Sequence, residues 1–155
     1  HLATDTAVVA DTIRDLWKTL RSEGETAEIM VLLEATSPFR SAELIGRCLE
    51  RMVAEQLDSI ATFHAAEVNP ERTWKIDGGR PRPFIDGAIP WKPRQLLTSA
   101  YQLNGAVYCF RPDRMAPDSP SVLFGAMGAE IVPSDSVIDI DNEKDFVVAN
   151  ALLSA

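Results

Sequence analysis

The chain has 155 residues and is 46% apolar, enough to build the core of one domain. Fifteen Lys and Arg against 23 Asp and Glu give a net charge of -8, and no basic cluster stands out, which argues against nucleic acid as a partner. No apolar run reaches the length of a membrane span, no segment reads as a signal peptide, and Cys48 and Cys109 lack metal spacing; together these predict a reduced, cytoplasmic protein with two buried thiols.

The first predicted helix follows Thr4 or Asp5 as cap, with Val8, Val9, Ile13, Leu16, Trp17 and Leu20 at helical spacing. Ala27 to Leu33 is an unbroken apolar run of strand length, as in a sheet covered on both faces. Pro38 stops it after the polar turn Glu34-Ala35-Thr36-Ser37. Ser41-Ala42-Glu43 opens a second helix whose apolar face is Leu44, Ile45, Cys48, Leu49, Met52 and Val53, and Asp58 to His64 is the next strand. Strand, helix, strand predicts a βαβ unit with parallel strands. It puts the Thr36-Ser37 turn at the carboxyl edge of the sheet, where α/β folds bind ligands.

The alternation then breaks. Asn69-Pro70-Glu71-Arg72 is a turn, and Thr73 to Ile85 reads as a hairpin around Asp77-Gly78-Gly79. Five of the ten prolines fall between Pro70 and Pro93. Residues 67–93 therefore read as an inserted arm, with Trp74, Phe84 and Trp91 as anchors either for a second subunit or for its own domain. Gln102 to Phe110 is a strand predicted to start at an Asn104-Gly105 turn, and Ala129 to Pro133 is another.

Val137, Ile138 and Ile140 suggest a last strand that carries Asp139 and Asp141 on one face. Neighbouring carboxylates repel unless a cation lies between them, and hard oxygen ligands suit Mg²⁺ shared with a nucleotide phosphate. A bare pair of this kind is more often a pair of solvated strand-end and cap residues. Asn142 caps a final helix with Asp145 in its first turn and Phe146, Val147, Ala149, Leu152 and Leu153 as its apolar residues.

Four blocks occur in a fixed order across nearly the whole chain: Leu2 to Ala7; Leu32-Leu33-Glu34-Ala35-Thr36-Ser37-Pro38-Phe39-Arg40; Pro93-Arg94-Gln95 followed by Tyr101 to Tyr108; and Ser136 to Asp141. Together they resemble the acylneuraminate cytidylyltransferases, the CMP-sialic acid synthetases and their legionaminic and pseudaminic acid relatives. The resemblance implies a three-layer, Rossmann-like α/β nucleotidyltransferase fold with a mixed, mostly parallel sheet and a small hairpin arm that reaches a second subunit in a homodimer. It implies transfer of CMP from CTP to an acidic nine-carbon sugar, with release of pyrophosphate.

By the same resemblance, Asp139 and Asp141 hold Mg²⁺ and Arg94 forks onto the sugar carboxylate. Glu34, Thr36, Ser37, Arg72, Gln102, Asn104 and Gly105 line the substrate pocket, with Asn104 able to bond nucleotide or sugar, and Ala3, Thr4 and Asp5 lie by the nucleotide. Glu34-Ala35 stands where the family commonly has Gln-Pro, and a carboxylate suits an acidic sugar only by accepting hydroxyl hydrogens. Some relatives carry a basic residue where Gln102 stands. The family also opens with a strand and a Gly-rich loop for the triphosphate; none precedes His1, so the chain reads as the C-terminal part of such an enzyme. The rival readings are a binding or dimerisation module that keeps the fold without catalysis, and an enzyme of the same class acting on Kdo or another activated sugar.

Overall fold

The computed structural model describes residues 8–136 and 138–153. Among these residues, four strands form the main sheet in the order β1 (Met30–Leu32), β5 (Tyr101–Phe110), β2 (Ser59–Ala65), β6 (Met127–Ile131). β2 and β6 are parallel, and β5 runs antiparallel to both of its neighbours. β1, β2 and β6 therefore point the same way, with β5 reversed between β1 and β2. Helix α2 (Ala42–Ala54) links the first two as the expected crossover.

The sheet is apolar on both faces. Leu44, Cys48 and Met52 of α2 pack with Ile60, Val107 and Cys109, while Ile13 of α1 (Val9–Ser22) joins Ala61, Tyr108, Phe110, Met115 and Val122 on the other face. The short β1 serves both: Val31 packs toward α2, and Met30 and Leu32 toward the opposite cluster. Its regular pairing covers only three residues of the run that the sequence predicts. Ser41 caps α2 by accepting from the Leu44 N–H. The expected caps of α1, Thr4 and Asp5, lie outside the described residues. Val9, Leu16 and Val53, predicted in apolar stripes, are exposed. Both cysteines are buried and free.

Long-range polar contacts fasten the helices. Trp17 Nε1 donates to Asp113 Oδ1 at 2.7 Å, and Arg21, stacked on the Trp17 ring, pairs with the same carboxylate. Arg51 of α2 reaches Glu130 and the carbonyl of Ala129 on β6.

The arm forms as predicted locally. β3 (Trp74–Asp77) and β4 (Arg80–Pro83) pair around Gly78 and Gly79, both at positive φ, as a two-residue turn between right-twisted strands requires. Trp74 and Trp91 meet edge to face with ring centroids 6.3 Å apart, and Phe84 and Trp91 remain largely exposed.

Two sequence expectations change. Asn104-Gly105 does not turn the chain into β5; it lies inside the strand, at a bulge between the Ala61–Tyr108 and Phe63–Leu103 pairs. Thr62 bridges the gap there, its hydroxyl accepting from the Val107 N–H. The acidic stretch forms no strand across residues 138–141. The Ile140 N–H makes a single backbone bond, to the Thr36 carbonyl, and one bond is not a ladder. Val137 lies outside the described residues. After the stretch, α3 (Glu143–Leu153) begins with a reciprocal cap: Asn142 Oδ1 accepts from Lys144 N, and Asp145 Oδ2 accepts from the N–H groups of Asp141 and Asn142. Of the predicted apolar residues of α3, Ala149 is buried, whereas Phe146, Val147 and Leu152 are exposed.

Candidate active site

The carboxyl ends of β1, β2 and β6 open on one edge, and the bulged start of β5 lies between the first two. A cleft of about 510 Å³ forms there, lined by His64, Glu67, Gln102, Leu103, Asn104, Ser134, Ile138, Asp139, Asp141, Asp145 and Val148. Among the described residues, four carboxylates line it, from Glu67, Asp139, Asp141 and Asp145, and no Lys or Arg does.

The acidic stretch is held against the sheet by the turn that follows β1. Besides the Ile140–Thr36 bond, the buried Ser37 hydroxyl lies 2.8 Å from the Asn104 carbonyl and 3.3 Å from Asp139 Oδ1, so it can donate to either. Arg40 secures the turn itself: its Nη1 donates to the carbonyls of Glu34 at 2.7 Å and Ser37 at 2.5 Å, and more weakly to that of Ala106 at 3.4 Å.

Gly105 makes this approach possible. Its φ is +69°, and a Cβ there would lie 2.5 Å from Glu34 Oε2 and 2.6 Å from Ser37 Oγ. Partial burial raises the pKa of Glu34, and the negative charges of Asp139 and Asp141 push it the same way, while a hydrogen bond with Tyr108 opposes them. The Tyr108 phenol is pushed up to about 12, by burial first and then by the Glu34 charge.

A second cleft, of about 490 Å³, opens beside the first and shares Glu67 as a wall. Arg72, Arg94, Asn69 and Tyr101 are among its lining. Arg72 donates to the Lys92 carbonyl at 2.9 Å.

The predicted residues thus divide. Asp139, Asp141, Gln102 and Asn104 line the acidic cleft, while Arg72 and Arg94 line its neighbour. Ser37, Gly105 and Glu34 stand behind the acidic wall, and Thr36 contributes its carbonyl. Ala3, Thr4 and Asp5 lie outside the described residues. Three contributors escaped the sequence reading. Arg40 was visible as the last residue of its block, but its carbonyl clamp was not. Glu67 and His64 sit just past and within β2, and only the pairing of His64 with Gln102 brings that end to the cleft.

No family model matches the chain. Post-translational flagellin modification protein B of Campylobacter coli is 28% identical over 157 residues, covering 99% of this chain and 65% of that protein. N-acylneuraminate cytidylyltransferase of Streptococcus agalactiae serotype V is 26% identical over 148 residues, covering 95% of this chain and 34% of that protein. The chain is similar in sequence to an N-acylneuraminate cytidylyltransferase. It spans about two thirds of the first relative's length and one third of the second's. Its fold is that of a nucleotidyltransferase: CMP:2-keto-3-deoxy-manno-octonic acid synthetase, solved in complex with CTP, superposes with a TM-score of 0.61 at 13% identity, over 97% of this chain and 69% of that one.

The chemistry of the acidic cleft suits a hard divalent cation. Among the described residues no three His, Cys, Asp or Glu side chains come close enough to hold a metal alone. Mg²⁺ does not need three; it is commonly held by one or two carboxylates plus phosphate oxygens and water. Asp139 and Asp141 fit that partial donor set. No helix among the described residues is long and apolar enough to cross a membrane.

Proposed function

We propose that the protein is a cytidylyltransferase that moves CMP from CTP to the anomeric hydroxyl of a sialic-acid-like nonulosonic acid and releases pyrophosphate. One observation carries the reading: four carboxylates line a single cleft at the carboxyl edge of a nucleotidyltransferase sheet, uncompensated by any lining Lys or Arg. Such a cleft favours a cation, and a triphosphate arrives with one.

Asp139 and Asp141 hold Mg²⁺ in this proposal. Held there, Mg²⁺ would supply positive charge beside the α-phosphate and would make the attacking hydroxyl more acidic. The chain's own residues do the positioning. Ser37 steadies Asp139, Asp145 fixes the backbone at Asp141 and Asn142, and Arg40 holds the turn that carries Ser37. Arg94, with Arg72 beside it, offers the sugar carboxylate a cationic fork in the neighbouring cleft. Glu67, common to both clefts, is placed to accept a sugar hydroxyl. The arm, with Trp91 85% exposed, supplies the surface for a homodimer.

The test is pyrophosphate release by the full-length protein. It should require CTP, a nonulosonic acid and Mg²⁺ together, and Asp141→Ala should abolish it; undiminished turnover in that variant rejects the metal assignment. Calorimetry of the 155-residue chain with CTP and Mg²⁺ separates an enzyme part from an inert module, because the proposal expects measurable binding.

A further inference from the structure

Two buried polar atoms at the acidic cleft make no hydrogen bond in the structure: Nδ1 of His64 and Nδ2 of Asn104. His64 is 9% exposed and Asn104 is 3% exposed, and both side chains line the cleft. Buried polar groups are nearly always paired, so two orphan atoms on residues that line one cavity call for a partner the chain does not supply.

The orientation of Asn104 is fixed. Its Oδ1 accepts from the Ala106 N–H at 3.2 Å and from the Thr62 hydroxyl at 2.6 Å. A backbone N–H can only donate, so the amide cannot flip, and its NH₂ is the group left for a ligand. A ligand atom there must accept a hydrogen bond. An imidazole nitrogen nearby can accept one in return, and a hydroxyl does both. A phosphate or carboxylate is disfavoured, because Glu67, Asp139, Asp141 and Asp145 line the same cleft.

We propose that His64 and Asn104 form a subsite for one neutral hydroxyl of the sugar, making His64 a determinant of sugar specificity. The inference rests on the cytidylyltransferase reading and adds a residue to it. The sugar hydroxyl accepts from Asn104 Nδ2 and donates to His64 Nδ1, while Asp139 and Asp141 are left to the metal and phosphate. Gln102, opposite His64 in the sheet, has its own Oε1 engaged by the Glu67 N–H at 3.3 Å, which keeps that side chain at the cleft wall.

The decisive measurement is steady-state CMP transfer by the full-length enzyme to N-acetylneuraminate, legionaminate and pseudaminate. With whichever sugar turns over, His64→Ala should raise the sugar KM about tenfold, the cost of roughly one hydrogen bond, and leave the CTP KM unchanged. His64→Asn, which keeps a polar atom near the Nδ1 position, should restore much of the loss. One monodeoxy analogue of the sugar should be poor with wild type and no poorer with His64→Ala. A wild-type sugar KM in His64→Ala overturns the inference and leaves the enzyme reading intact. Failure of wild type to form any CMP-sugar overturns both.

A second readout needs no variant. The chain has two histidines, His1 and His64. In long-range imidazole ¹⁵N spectra, adding the sugar in the absence of CTP, so that no turnover occurs, should move the His64 Nδ1 signal. A static signal under saturating sugar means that the subsite holds water alone, and the inference falls.

Discussion

In the hairpin arm, Trp74 faces Pro83 and Asp77 faces Arg80, so every pairing joins near neighbours in sequence. In the acidic cleft, one hydroxyl, that of Ser37, meets a carbonyl 67 residues away and a carboxylate 102 residues away. The arm's side chains are mostly in water, whereas Ser37, Thr62 and Asn104 behind the cleft are buried and Arg40 and Glu34 are half-buried. Local order around a two-residue turn tolerates change, because little else is keyed to it. A wall assembled from three distant segments does not, since each segment is held by the others. The same contrast separates what a sequence reveals easily from what it conceals.

Arg40→Ala should show this most strongly. It removes the donor shared by the carbonyls of Glu34, Ser37 and Ala106. A loss of about 3 kcal/mol is expected in urea unfolding, together with loss of CTP-dependent turnover. Arg40→Lys keeps a charged nitrogen with several donors, on a side chain of different length and shape, and should recover part of it. A variant that unfolds like wild type would mean that the cleft wall stands without its clamp.

Two glycines sharpen the comparison next. Gly105 and Gly78 both have positive φ, at +69° and +55°. A Cβ on Gly105 meets Glu34 Oε2 at 2.5 Å, whereas one on Gly78 meets nothing within 4 Å. Gly78→Ala should therefore cost only backbone strain, about 1 kcal/mol. Gly105→Ala should cost about 2–3 kcal/mol and displace Glu34 and Ser37 from the Asp139 wall, lowering turnover as well. Equal losses in the two variants would break the argument that the cleft is the more tightly keyed region.

Asp58 provides a long-range contact of the cleft's kind at the opposite end of β2. The Arg114 guanidinium, 2.8 Å away, and then the Ala126 N–H hold its carboxyl below the usual carboxylate range. The folded state therefore favours the ionised form. The stabilisation is full at neutral pH and is lost as pH falls through the lowered pKa. Asp58→Asn should be less stable than wild type at pH 7, and the gap should narrow below about pH 4. A gap independent of pH would show that the contact is steric rather than ionic.

How far the sequence carries follows from the same physics. Periodicity gave α1, α2 and β2 and the βαβ order, and Asp-Gly-Gly gave the hairpin, because each is a short-range pattern. The Asn142-x-x-Asp145 cap was visible because it is written in four consecutive residues. The Asn104-Gly105 pair has the same composition in a turn as in a bulge; Thr62, 42 residues earlier, decides between them. Likewise Ile138 and Ile140 look like strand residues, yet the carbonyl available to Ile140 lies past the end of β1. Asp139 and Asp141 could be named from their spacing and family likeness. His64 could not, since its significance comes from a cavity and from an amide whose orientation another residue fixes.

The smallest effect on the folded chain belongs to the arm. Trp91 is 85% exposed and touches Trp74 at its edge. Trp91→Ala should change the stability of the isolated chain by no more than about 0.5 kcal/mol, as for other surface substitutions. If the arm is a subunit anchor, the same change should shift sedimentation from dimer to monomer, because exposed tryptophans contribute most when a partner buries them. Measuring both on one variant puts the arm to the test from each side. A large stability loss without a change of oligomeric state would make Trp91 a support of its own domain, and the contrast with the cleft would then be one of degree.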